Sequence, residues 1–244
     1  MRAAVRLLCL VLLATGCAGS EDGTRAPTAG SRQRVAAAAE ASGQMDVALS
    51  MYGAAAATEP GNAELQARFA AALARSGDAA RAEEVLNRGL QRRPGDAALL
   101  TQLGRLRLRA GDAAAALDLL GRAREAAPRS VAALDGLGVA LDLAGRHAEA
   151  QARYREALAL EPGSVAVANN LAMSHLLQGT PETAVALLET LAARPDAPPR
   201  VAVNLALARA TAGDAGALRR LGDGVPSRQQ DLEVILAGLR AAPR

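Results

Sequence analysis

The chain has 244 residues, half of them apolar, yet it contains one Phe, two Tyr, no Trp and no Lys. So few rings in a background of Ala, Leu and Arg argue against sheets, whose strands favour β-branched and aromatic side chains, and for close-packed helices. A formal charge of +3 and a pI near 9.5 suggest a nucleic-acid binder, but Arg2 and Arg6 lie in the first 16 residues. Without them 26 arginines face 25 acids, no basic stripe is clustered, and rings to stack bases are scarce, which excludes that class.

Residues 1–16 read as a signal peptide, with Arg2 and Arg6 as a positive n-region and Leu7 to Ala14 (LLCLVLLA) as the apolar stretch. That stretch is far shorter than the roughly 20 apolar residues a spanning helix needs. Leu13-Ala14-Thr15-Gly16-Cys17 resembles the bacterial lipobox, in which small residues precede a lipid-accepting cysteine. The resemblance implies that Cys17 is lipidated and becomes the mature N-terminus. Cys9 leaves with the leader, so the processed chain keeps one cysteine and forms no internal disulfide. Ala18, with no Asp in its place, resembles lipoproteins sent to the outer membrane. Residues 17–28 continue as AGSEDGTRAPT after the cysteine, small, polar and broken by Gly23 and Pro27, and read as a flexible tether.

Beyond the tether the chain repeats. Glycine recurs at 43, 77, 111, 145, 179 and 213, a spacing of 34 held without slippage. Five such recurrences by chance have a probability on the order of 10^-5, so the period is structural. Pro60, Pro94, Pro128 and Pro162 keep it, as do Ala48, Ala82, Ala116, Ala150 and Ala184. This pattern resembles the tetratricopeptide repeat family, whose helical hairpins stack into a right-handed superhelical, all-α solenoid. The family's register places repeats at 29–62, 63–96, 97–130, 131–164, 165–198 and 199–226. Each mark has a physical reading. Gly111 suits the left-handed turn ending a first helix (A), and Asp112 can cap the second (B), as Thr180 before Pro181 can one repeat pair later. Helix B stops before each proline, and Asn62, Asp96, Ser130 and Ser164 stand where the next helix needs its N-cap. Small residues at Ala70, Gly104, Gly138, Ala172 and Ala206 are expected to face the periodic alanines.

In the sixth repeat Leu218 replaces the periodic alanine, and Gly222-Asp223-Gly224-Val225-Pro226 cuts helix B short. A closing helix and tail follow at 227–244, where Ser227 and Gln230 have capping-box spacing and Leu232, Ile235, Leu236 and Leu239 share a face. A solenoid needs such a cap over its exposed end.

The family resemblance also implies a binding surface, since its A helices line a concave groove. The equivalent positions in repeats three and four are Thr101, Arg105, Asp135, Val139 and Asp142. In the last two repeats they are Asn169, Met173, Leu176, Arg200, Val203 and Leu207. The C-terminal half of this groove is therefore expected to be apolar and able to seat a helix or extended peptide, unless the closing helix or the packing of Val201 covers it. Asn170 and Asn204 could hold a peptide backbone, but the family uses that position for structural hydrogen bonds.

Catalytic signals are missing. His147, expected on a helix-B surface, and His175, expected between helices, have no ligand partner at metal spacing. No paired cysteine, triad spacing or phosphate loop is present, and Glu83 and Glu84 are adjacent on a helix and do not face each other. The reading is a non-enzymatic protein without cofactor, metal, nucleic acid or small-molecule substrate. Over 134–177 the stretch LDGLGVALDLAGRHAEAQARYREALALEPGSVAVANNLAMSHLL resembles the TadD family of tight-adherence (Flp) pilus assembly lipoproteins. VALLETLAARPDAPPRVAVNLALARATAGD continues the likeness, and Thr180-Pro181-Glu182-Thr183 and the ending LEVILAGLRAAPR depart from it. That resemblance implies an outer-membrane lipoprotein, facing the periplasm, that acts like a pilotin for the pilus secretin. A general tetratricopeptide scaffold of the envelope, serving another type IV system or cell-wall enzymes, shares the same bulk features, and a cytoplasmic adaptor would require an uncleaved leader. If the alanines seat one helix on another, Ala116→Leu overpacks the hairpin and lowers stability by about 1–3 kcal/mol in denaturant melts; an unchanged midpoint would contradict the register.

Overall fold

A computed structural model describes residues 27–214 and 216–224; the leader, Cys17, most of the tether and the closing helix expected at 227–244 lie outside the described residues. Within them are eleven α-helices and no strand, the all-helical class that composition predicts. The hairpins are α1 (Ala29–Ala41) with α2 (Met45–Thr58), α3 (Ala63–Arg75) with α4 (Ala79–Arg92), and α5 (Ala97–Arg109) with α6 (Ala113–Ala126). Then come α7 (Val131–Leu143) with α8 (His147–Leu160), α9 (Val165–Leu177) with α10 (Pro181–Ala192), and α11 (Pro199–Thr211).

Every hairpin turn uses one backbone device. Gly43, Gly77, Gly111, Gly145, Gly179 and Gly213 all have positive φ, between 73° and 108°, a conformation that glycine adopts without a Cβ clash. The next amide then reaches back to the A helix, Gln44 N–H to Ala39 O at 2.8 Å, Asp112 N–H to Arg107 O at 3.0 Å and Thr180 N–H to His175 O at 2.9 Å, with the same bond in the other three turns. This satisfies a carbonyl that the helix end would otherwise leave open. Asp78 and Asp112 also cap the following helix, accepting from Arg81 N at 3.1 Å and Ala115 N at 3.0 Å. Thr180 does not: its hydroxyl donates back to His175 O at 2.9 Å, and α10 starts on Pro181, which has no amide to cap.

Between hairpins, Glu59, Arg93, Ala127 and Glu161 precede prolines and are extended, with φ of −131° to −141° and ψ of 75° to 80°, because the proline ring bars the helical region. Asn62, Asp96 and Ser130 then accept from Leu65 N, Leu99 N and Ala133 N at 3.2–3.3 Å. Ser164 makes no side-chain cap, which corrects that expectation.

The small residues of the A helices meet the periodic alanines together with a further period of large buried side chains, Tyr52, Leu86, Leu120, Tyr154 and Leu188: Ala70 shares a core with Ala82 and Leu86, and Ala172 with Ala184 and Leu188. A Cβ on Gly104 would lie 2.6 Å from Leu120 Cγ, and one on Gly138 would lie 2.5 Å from Tyr154 Cε1. The alanines at 48, 82, 116, 150 and 184 are fully buried in their own right. In the sixth repeat Leu218 packs partly buried against the core beside Ala217, and the chain continues as a 3-10 turn over Arg219–Gly224 in place of an α-helix. Gly222 and Gly224 weaken helix formation there.

Successive A helices from α3 to α11 touch one another as well as their hairpin partners, and no comparable contact joins successive B helices. A stack tighter along one row bends toward it, so the A helices form the inner wall of a solenoid. The contrast between two glycines tests this packing. Gly104→Ala should cost about 1–3 kcal/mol through overpacking, whereas Gly121→Ala, with nothing within 4 Å of the added Cβ, should stabilise by about 0.4–1 kcal/mol. Equal denaturation midpoints for the two would refute it.

Candidate protein-binding groove

A groove of about 640 Å³ opens on the inner wall across the first four hairpins. Its floor is made by what the sequence omits: Ala67, Ala71, Ala97, Ala98 and Ala132 leave the helix backbones near the surface. Charged and polar side chains stand around it, among them Glu40, Glu64, Arg68, Arg75 and Gln102.

The arginines are held by carboxylates, but only in part. Arg68 Nε donates to Glu64 Oε1 at 2.7 Å, and Arg75 Nε pairs with Glu40, whose other oxygen accepts from the Tyr52 hydroxyl at 3.3 Å. Arg105 lies 3.5 Å from Asp135 Oδ2 and also donates to Ala132 O at 3.3 Å. Among the described residues Arg109 enters no ion pair. Desolvation, with Arg75 and Arg105 repelling it, holds its pKa below the usual arginine value, although it stays charged at physiological pH.

The C-terminal half of the wall differs from expectation. Leu176 and Leu207 are only 1% and 3% exposed and belong to the core between the last hairpins, so neither is presented on the surface of the wall. Asn169 is buried and accepts from Asn204 Nδ2 at 2.9 Å. Asn170 Nδ2 likewise donates to Asp135 Oδ1 at 2.8 Å. These bonds, each spanning one repeat, stitch α7 to α9 and α9 to α11. Val139, Met173 and Val203 are half-buried, and Met173 packs against the core; Arg200 is exposed and Thr101 lines the N-terminal groove. The apolar side chains that do stand out were not singled out from sequence. Leu143 is 58% and Leu177 41% exposed, and they continue the 34-residue register of Arg75 and Arg109.

Asp142 is a structural acceptor. Its carboxylate takes the Tyr154 hydroxyl at 3.0 Å, the Ser174 hydroxyl at 2.7 Å and His147 Nδ1 at 2.9 Å, joining α7, α8 and α9. His147 is therefore partly buried and tied down, not a free surface residue. The set contains Ser, His and Asp, but Ser174 is fully buried and bonds the carboxylate, not the imidazole, so no base stands ready to activate it. Burial, then the Asp142 charge, pushes the Tyr154 pKa up, so its hydroxyl stays protonated and donates to the carboxylate. His175, lowered by burial and by Arg155, is biased to the neutral imidazole and sits 3.1 Å from Thr180 Oγ1. Among the described residues no group of His, Cys, Asp and Glu is placed to hold a metal ion, and no helix is long and apolar enough to cross a membrane.

The tetratricopeptide repeat pattern matches residues 39–106, 76–141 and 143–210, most of the helical region. Solved structures share the fold. A thermophilic tetratricopeptide repeat protein from Thermus thermophilus is 23% identical, with a TM-score of 0.65 over 75% of this chain and 100% of that one. A tetratricopeptide repeat protein from Parabacteroides merdae is 15% identical, TM-score 0.64, over 89% and 87%. The pilF protein of Pseudomonas aeruginosa is 18% identical, TM-score 0.62, over 85% and 97%. No curated protein sequence matches the chain.

The Asp142 cluster generates a test. Asp142→Ala deprives two buried hydroxyls of their carboxylate acceptor and should cost about 2–6 kcal/mol, at about 1–3 kcal/mol for each group. Adding Tyr154→Phe should recover part of that loss, and a double variant no more stable than the single one would show that the hydroxyl needs no acceptor.

Proposed function

The chain belongs to the tetratricopeptide repeat family, and from that premise we propose that it is a lipid-anchored adaptor of the bacterial envelope that binds protein and catalyses nothing. The observation that carries this reading is the alanine-floored groove on the inner wall, edged by arginines whose terminal nitrogens are largely unengaged. A solenoid with such a wall recognises an extended surface through many small contacts and offers no enclosed, dry site for a reaction.

Location and recognition are separate functions in this proposal. The lipobox-like Leu13 to Cys17 supplies the first: each acyl methylene buried in a bilayer contributes about 0.8 kcal/mol, so several chains on Cys17 anchor the protein where one would be marginal. The anchor holds it at the periplasmic face of the outer membrane. The groove supplies the second. The stretch at 134–177 that resembles the TadD family points to assembly of a tight-adherence (Flp) pilus, with the secretin as partner and the chain acting like a pilotin. A broader role as an envelope scaffold is favoured by the match to the repeat pattern in general; secretin, pilus ATPase and small pilin genes beside this one would support the pilus role.

Cys17→Ser tests the division. It should abolish incorporation of radioactive fatty acid and move the protein from the membrane to the soluble fraction, with its helical circular dichroism and its binding to purified secretin unchanged. Loss of folding or of secretin binding on removal of the lipid would count against separable parts.

A further inference from the structure

We propose that the inner wall takes an extended partner segment whose acidic residues lie on Arg75 and Arg109 and whose apolar residues lie on Leu143 and Leu177. This rests on the reading that the inner wall is the recognition surface, and it names the chemistry that the surface selects.

These four residues are spaced by 34 and stand on α3, α5, α7 and α9, A helices that touch in succession. They form one rim, cationic at one end and greasy at the other. The cationic end has donors to spare. Arg75 meets Glu40 through Nε, so the two terminal nitrogens can fork onto a second carboxylate. Arg109 has no ion pair among the described residues and is crowded by Arg75 and Arg105, a repulsion that an arriving carboxylate would relieve. The greasy end exposes two leucines to water, and apolar side chains laid over them would recover that surface. At the cationic end Arg75 and Ala71 line the alanine-floored groove, which gives a backbone room beside the rim there.

Spacing sets a register. Packed helices are roughly 8–10 Å apart, and an extended chain of the polyproline II type advances about 3.1 Å per residue with about three residues per turn, so every third partner side chain faces the wall and meets successive rim residues. The segment therefore carries carboxylates three apart, followed three and six residues on by leucine-like side chains. A polynucleotide is disfavoured, because Glu40, Glu64 and Asp135 are interleaved with the arginines and would repel phosphates.

A fluorescent twelve-residue peptide with Glu at positions 2 and 5 and Leu at positions 8 and 11, titrated with the full-length protein, tests this by anisotropy. Binding should weaken at least tenfold with Arg109→Glu and with Leu143→Asp, both at exposed positions, and Arg109→Gln gives a milder variant if the reversal disturbs the fold. It should also weaken at least tenfold for a peptide with Glu and Leu interleaved. Equal affinity for the interleaved peptide, or indifference to both substitutions in folded protein, overturns the inference, as does tighter binding of a single-stranded oligonucleotide or self-association through the rim. Purified secretin serves as a parallel arm. Variants that lose the peptide yet bind secretin normally uphold the rim as a peptide site and put secretin elsewhere on the adaptor; peptide bound as expected with secretin ignored sinks the pilus assignment and upholds the rim.

Discussion

The left-handed glycine that closes each hairpin is the constraint on which the rest of the molecule depends. Six residues at positive φ turn the chain through the same angle, and the amide that follows each one locks the turn to the helix just completed. Identical turns deliver identical helix pairs, and identical pairs can stack only in one register. Burial of the alanines at 48, 82, 116, 150 and 184 follows from that geometry, since each B helix arrives at the same height on its partner.

On this frame the A helices meet two demands that compete for the same side chains. One is to hold successive repeats together, and the other is to present a surface. In the C-terminal half the first demand prevails. Asn170 and Asn204 bond back to the preceding A helix, and Asp142 gathers Tyr154, Ser174 and His147. Tyr52 and Glu40 form a simpler version of the same pair in the first hairpin. Where the large buried residue is leucine, as at 86 and 120, no hydroxyl calls for an acid. In the N-terminal half the wall is floored by alanine and edged by charge, and it stays open.

Much of the fold could be read from sequence because glycine and proline act through backbone conformation, which is local. The turns at Gly43 to Gly213 needed no knowledge of neighbours. Capping was legible at Asn62, Asp96, Asp112 and Ser130, and failed at Ser164 and Thr180, where the side chains turn elsewhere. The period of Tyr52, Leu86, Leu120, Tyr154 and Leu188 was hidden by its change between aromatic and aliphatic residues, although its spacing was there to be found. The groove was harder. Leu176 and Leu207 looked like contact residues because they are apolar on an A helix, but tertiary packing decides whether such a residue faces a partner or the core. The space at Ala67, Ala71 and Ala98 gives no signal in a search for prominent side chains, because it consists of their absence.

Each rung touches little beyond its immediate neighbours, and this has an evolutionary consequence. A duplication or deletion of one whole repeat leaves the junctions on either side chemically intact, so the gene can change length without a foldless intermediate. Such an event moves every later rung along the inner wall by one helix spacing. Ancestral lengthening would thus have altered which ligand the array could read while sparing its ability to fold, making copy number itself a heritable variable of specificity.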